Sequence, residues 1–211
     1  MNFLRTTLLA NCCFIAVSGF SQSQEPDEIV DVTNVTKFTL LDPGFSYEAR
    51  IGKNQTIYGQ VFMNTSFTYS DYFGTDYSIY FDPALAFQYR YYYNGKRRQQ
   101  KELRTEMNSL NYIAPVYEVI FSRAALTSDY YTEDNRRAIN RLGVVWGFQR
   151  NYKDRFSLDV NLGLACKFGK STALDYMGNP VSLSETAADV VGLRQINLGI
   201  WLNKRKKNIE H

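Results

Sequence analysis

Alternation with a period of two constrains this chain more than any other feature. Between 78 and 91, Ile79, Phe81, Pro83, Leu85, Phe87, Tyr89 and Tyr91 share one parity; Ser78, Tyr80, Asp82, Ala84, Ala86, Gln88 and Arg90 share the other. Between 156 and 168, Phe156, Leu158, Val160, Leu162, Leu164, Cys166 and Phe168 oppose Ser157, Asp159, Asn161, Gly163, Ala165 and Lys167. Successive side chains of a strand point to opposite faces, so each stretch reads as a strand with one apolar and one polar side.

Weaker copies follow the same rule around Ile57 to Tyr69, Ile113 to Phe121, Leu142 to Phe148, Phe45 to Ile51 and Ile196 to Leu202. Arg194 breaks the last one, because it falls on the apolar parity. The pattern predicts seven strands, near 44–52, 56–70, 77–93, 110–124, 138–151, 155–168 and 190–203. An eighth lies at 33–41 and turns at Asp42-Pro43-Gly44; the alternative is one long strand over 36–51. The expected fold is all-β: an antiparallel up-and-down transmembrane β-barrel of eight strands spanning 33–203. Pro83 and Pro115 fall inside predicted strands, where a missing N–H removes a ladder bond, and local bulges are expected there.

The sequence leaves two ways to turn such a barrel. A soluble, lipocalin-like carrier would put the apolar face inside, around a ligand. A membrane barrel would put it outside, against lipid. Side-chain size favours the second, since the polar face is rich in Gly, Ala, Ser and Asn, and an eight-stranded barrel is only just wide enough inside for side chains. The opposite face runs apolar over about nine residues or more, the length that crosses hydrocarbon at a barrel's tilt. Aromatics also gather at strand ends: Tyr91, Tyr92, Tyr93, Tyr112, Tyr152, Phe156 and Trp201 at one, Tyr69, Tyr72, Phe73 and Tyr77 at the other, as interfacial girdles would. The tightest turns, Gly52 to Gln55 and Asn151 to Arg155, fall at one end, which a bacterial barrel keeps in the periplasm.

The polar face carries balanced charge. Glu48, Asp82, Glu118 and Asp159 are acidic; Arg50, Arg90, Arg141 and Lys167 are basic. Charges taken from water must pair or be hydrogen-bonded, so these eight are candidate lumenal ion pairs with a structural role. The functional alternative is a narrow, porin-like channel. Asn94 to Ser109 is long and basic for a periplasmic turn; a solvated turn is expected there, the alternatives being a short helix near the membrane surface or, in an inverted orientation, basic groups that pair with lipid phosphates.

The N-terminus reads as an export signal. Arg5 precedes an apolar run from Leu8 to Phe20, and Gly19-Phe20-Ser21 offers small residues for cleavage after Ser21. The expected organisation is a signal peptide over 1–21, a flexible segment over 22–32, the barrel over 33–203 and a basic tail over 204–211. Leu9-Ala10-Asn11-Cys12 is a poor lipoprotein box, and cleavage would leave Cys166 as the one cysteine, without a disulfide partner.

Several chemistries are not expected. The single histidine is His211, so neither a fold-held imidazole base nor a His-ligated metal is anticipated, and no phosphate-binding or dinucleotide motif occurs. No enzyme activity, catalytic residue, metal or cofactor is therefore assigned. A net charge of +3 without a basic stripe gives no reason to expect nucleic acid. The expected surroundings are outer-membrane lipid, with any surface partner meeting loops 70–77, 126–137 and 169–189; the oligomeric state is left open.

Three stretches carry a resemblance: Pro43-Gly44-Phe45-Ser46-Tyr47-Glu48 with Ile51-Gly52-Lys53, Gln88-Tyr89-Arg90-Tyr91-Tyr92-Tyr93-Asn94, and Asn108-Ser109-Leu110-Asn111-Tyr112. With these the chain resembles the small outer-membrane β-barrel proteins of Bacteroidota-type bacteria, distant architectural relatives of OmpA/OmpX-type barrels. The resemblance implies export and barrel insertion, and carries over no binding residue.

Overall fold

The computed structural model describes residues 31–70, 76–126, 132–152, 154–174, 177 and 180–203. The expected signal peptide, most of the segment 22–32, the basic tail and the tip of the loop at 70–77 lie outside these residues. Eight strands follow in chain order: β1 (Val35–Thr39), β2 (Gly44–Arg50), β3 (Gln55–Ser70), β4 (Asp76–Tyr92), β5 (Asn111–Ala124), β6 (Thr132–Asn151), β7 (Phe156–Leu174) and β8 (Pro180–Trp201). Each pairs antiparallel with the next, and β8 returns to β1, so the sheet closes into an up-and-down barrel.

The two parities separate as the alternation requires. Leu162 and Phe87 stand outward, 62% and 52% exposed, as do Val61, Tyr117, Val144 and Leu164. Ser46, Glu48, Gln60, Asp82, Gln88, Arg90, Asp159 and Asn161 are buried inside. The girdle assignment needs correction. Tyr92, Tyr112 and Trp201 are buried, whereas Tyr91, Tyr93, Tyr152 and Phe156 stand outward at the same end. Parity explains the split, because Tyr92 continues the inward series Gln88, Arg90, and Tyr112 precedes Ala114 and Val116 on the inward side of β5.

Two expected loops are largely strand. β6 begins at Thr132, β7 runs on to Leu174 and β8 starts at Pro180, so half of 126–137 and most of 169–189 belong to a tall β6–β8 wall. Above Phe168 the sequence of that wall turns mostly polar, with Val181 an exposed exception. Hydrophobic alternation disappears there although backbone pairing continues, from Lys167↔Asp189 to Ser171↔Glu185.

The prolines are accommodated without the expected bulges. β4 and β5 keep one register from Gln88↔Val116 to Tyr91↔Ile113, with the pairs at Tyr89 and Arg90 absent opposite Pro115 and Ala114. Their ladder stops at Ala84↔Ile120, one residue short of Pro83. Each proline thus interrupts or ends a ladder rather than shifting it. Register shifts occur instead at Ser122/Ala124 and around Ala173.

The short-turn end of the barrel is closed from below. A short helix, α1 (Gly95–Gln100), leads to a 3₁₀ turn at Glu106–Asn108. Asn108 exchanges two hydrogen bonds with the Thr33 backbone, both 2.8 Å. Val32 and Leu110 pack beneath Tyr92 and Tyr112 in one apolar cluster. The long basic loop is therefore half surface helix and half floor, and the chain just ahead of β1 forms part of that floor.

Gly147 makes room for one inward ring: a Cβ there would lie 2.5 Å from Tyr112 Cζ. Gly147→Ala is expected to cost about 1–3 kcal/mol, the usual price of overpacking. Urea titration followed by the gel mobility of unheated protein reads this out; an unchanged midpoint would mean that the ring moves aside freely.

Candidate functional site

The lower lumen holds a dense polar cluster built from seven strands, β1 to β7. Arg90 (β4) is fully buried, and its Nη1 lies 2.8 Å from Asp159 Oδ2 on β7 and 3.9 Å from Glu48 Oε2 on β2. Its Nε donates to Gln88 Oε1 at 2.8 Å, and its guanidinium stacks over the rings of Tyr58 and Tyr112, 3.7 and 4.3 Å from their centroids. Lys37 (β1) reaches the same carboxylate at 3.6 Å and donates to Gln149 Oε1 at 2.6 Å. Tyr112 donates to Asp159 at 2.7 Å, Thr56 to Glu48 at 2.7 Å, and the Tyr92 hydroxyl also donates to Glu48. Two cations meet two carboxylates, so the cluster is neutral and densely hydrogen-bonded. That is the condition under which charge can leave water without a large net cost.

Above the cluster the lumen widens into a cavity of about 60 Å³, lined among others by Phe62, Gln88, Glu118, Arg141, Asn161 and Gln195. Glu118 and Arg141, paired across β5 and β6, meet there at 3.3 Å. Higher still, Glu133 fastens β6 to β7. It accepts from the Thr172 N–H and Oγ1, both at 2.7 Å, and from Ser171 Oγ at 3.1 Å, and pairs with Arg137 at 2.9 Å. Burial alone would push the Glu133 carboxyl up; the Thr172 and Ser171 hydrogen bonds, with Arg137, outweigh it and hold the group below its ordinary value.

The structure thus sorts the eight expected lumenal charges. Glu48, Arg90 and Asp159 meet in one cluster, and Glu118 pairs with Arg141 in the cavity. Asp82 is buried but faces Arg136, 3.9 Å away, rather than any expected partner. Lys167 lies in register between Arg141 and Asp189 and has no ion pair among the described residues. Arg50 is a correction: it sits at the exposed rim, where it pairs with Asp31 at 3.0 Å. Although Arg50 shares Glu48's parity, it is the last residue of β2, at the short-turn end, and the lumen ends above it. Lys37, Tyr58, Tyr92, Tyr112 and Gln149 were not anticipated as cluster members. Parity extended one residue past each strand's apolar core would have placed Tyr92 and Tyr112 inside. Lys37 lies in β1, a strand of five residues too short to show a clear alternation.

The architecture defines the class: an eight-stranded antiparallel β-barrel with an outward apolar face and a charged, filled interior. No family model, curated protein or solved structure gives a significant match to the chain.

Removing one member strands its partners. Arg90→Met leaves two buried carboxylates facing a single lysine and is expected to cost about 3–5 kcal/mol. Glu118→Gln, beside a cavity with room for water, should cost clearly less in the same urea titration; the reverse order would mean that the lower cluster does not hold the barrel together. The Glu133 clip has a definite sign. Its folded pKa is depressed, so its contribution is complete above the unfolded value of about 4.3 and is lost as pH falls through the folded value. Amide exchange in 132–138 and 170–174 should therefore speed up, beyond its intrinsic pH dependence, on acidification below about pH 4. Glu133→Gln should remove that extra change, and a variant that kept it would discard the clip.

Proposed function

We propose that this chain is an integral β-barrel of a bacterial outer membrane, exported by its N-terminal signal, with a filled lumen and no catalytic role. It acts as a structural element or through contacts made by the tall β6–β8 wall and its tips. The observation that carries this reading is the pairing of two opposites. An uncharged bulky face runs outward around most of the wall, while the charges of the lower lumen neutralise one another. In water the first would be a large exposed apolar patch, which soluble monomers avoid; in lipid it is the favourable side. The OmpA/OmpX-like architecture and the Bacteroidota-type kinship drawn from the three sequence stretches belong to the same proposal.

The reading makes the barrel a poor conduit, because Arg90 and its two ring contacts stand across the lumen. Refolded protein should partition into the detergent phase on phase separation and shift its gel mobility on heating. It should also leave a planar bilayer without steady single-channel steps. Recovery in the aqueous phase would sink the membrane reading and revive a soluble carrier; regular conductance steps would revive the channel.

A further inference from the structure

The barrel wall is uneven, and its low point coincides with a charge out of place. The β1–β8 ladder covers only Lys37↔Trp201 to Thr39↔Gly199, extended by the Leu40 N–H to the Leu198 carbonyl at 2.7 Å. On the other side β2 meets β3 only as far as Gly44↔Phe62, with Met63 N–H bonded to Pro43 O at 3.0 Å. Beyond that hairpin, the edge of β8 from Ile196 upward has no strand partner among the described residues. Ladder groups alternate along a strand, so the N–H groups of Ile196 and Arg194 face the same side as those of Leu198, into this notch.

Arg194 stands at the notch. It is exposed, lies opposite Leu162 within the outward apolar band, and lines the lumenal cavity together with Asp42. An ionisable group placed toward lipid marks a site by default. The other charges of the cavity are already engaged: Glu118 pairs with Arg141, and Asp42 accepts the Thr65 N–H at 3.4 Å. Arg194 has no ion pair among the described residues. Below it, on the inward face that carries Gln195, the buried Asn197 side chain has neither its oxygen nor its nitrogen bonded.

We propose that the notch is a lateral binding site for the head of an anionic single-chain amphiphile, a long-chain carboxylate. Its carboxylate would bridge the Arg194 guanidinium, and its hydrocarbon chain would remain in the bilayer. The cavity behind Arg194, about 60 Å³, has room for a small head group. Guanidinium and carboxylate match as a two-point hydrogen-bonding pair. The proposal rests on the membrane reading above.

The test uses the full-length mature barrel refolded in detergent, with radiolabelled palmitate as probe and hexadecanol as its uncharged counterpart. Palmitate should bind saturably and hexadecanol about tenfold more weakly or not at all, and Arg194→Gln should lose about the same factor. Asp42→Asn, which keeps an acceptor for Thr65, should bind palmitate more tightly. Equal binding of the two probes, or an Arg194→Gln variant indistinguishable from wild type, would overturn the site. Phase partition and heat-dependent mobility, measured on the same samples, separate the outcomes: protein in the detergent phase without selective binding removes only this inference, whereas protein in the aqueous phase removes both.

Discussion

A guanidinium buried in the middle of a protein must be answered by its surroundings, and the answer given to Arg90 organises this barrel. Gln88 from its own strand accepts from its Nε and Asp159 from β7 from its Nη1, Glu48 from β2 adds a second negative charge 3.9 Å away, and Tyr58 and Tyr112 cover its faces, while Nη2 has no hydrogen-bond partner among the described residues. These partners come from strands far apart in sequence, so the arrangement exists only once the sheet has closed. An eight-stranded lumen is narrow enough for side chains from opposite walls to meet. The cluster therefore turns the geometric condition of closure into an energetic one. Glycine at 147 belongs to the same arrangement, since it lets the Tyr112 ring stand close enough to reach Asp159.

Filling the inside with polar groups forces the apolar residues to the outside. Each strand has only two faces, and once charges occupy one, Phe87, Leu162 and Leu164 have nowhere else to point. The same division gives the wall its two regimes. Where the outer face is apolar, the strands form the band that the proposed membrane reading places in lipid; above Phe168 it is mostly polar, and β6, β7 and β8 continue as a ribbon tied by Glu133. The β1–β2 hairpin stops well below that height, so the wall carries a notch on one side. At the opposite end the loop after α1 and the chain before β1 fold under the lumen and seal it.

Much of this was legible in the sequence, and what was missed has physical reasons. Strand number, order and closure followed from alternation, because period two is strongest where one face is apolar and the other polar. The inward positions of Asp82, Gln88, Arg90, Asp159 and Asn161 came from parity alone. Partner choice did not. Ion pairing depends on which strands face one another across the lumen and on their stagger, and neither is written in local pattern; hence Asp82 meets Arg136 and Arg50 meets Asp31. The upper strands read as loops because β-structure without one apolar face carries no hydrophobic period. By residue type Tyr92, Tyr112 and Trp201 read as interfacial aromatics, although parity points them inward. Arg194 was visible as an exception from the start, but its meaning depended on the height of the neighbouring hairpin.

The two tryptophans offer a direct view of which way the faces point. Trp146 stands outward and donates its indole N–H to Tyr93 Oη at 2.6 Å; Trp201 is 2% exposed and donates to the Tyr152 carbonyl at 2.9 Å. With Trp146→Phe and Trp201→Phe variants refolded into vesicles, each emission can be read alone while the lipid acyl chains are brominated. The account predicts strong quenching of Trp146 by brominated lipid and weak quenching of Trp201. Emission from Trp146 that ignores brominated lipid yet is quenched freely by aqueous iodide would contradict it.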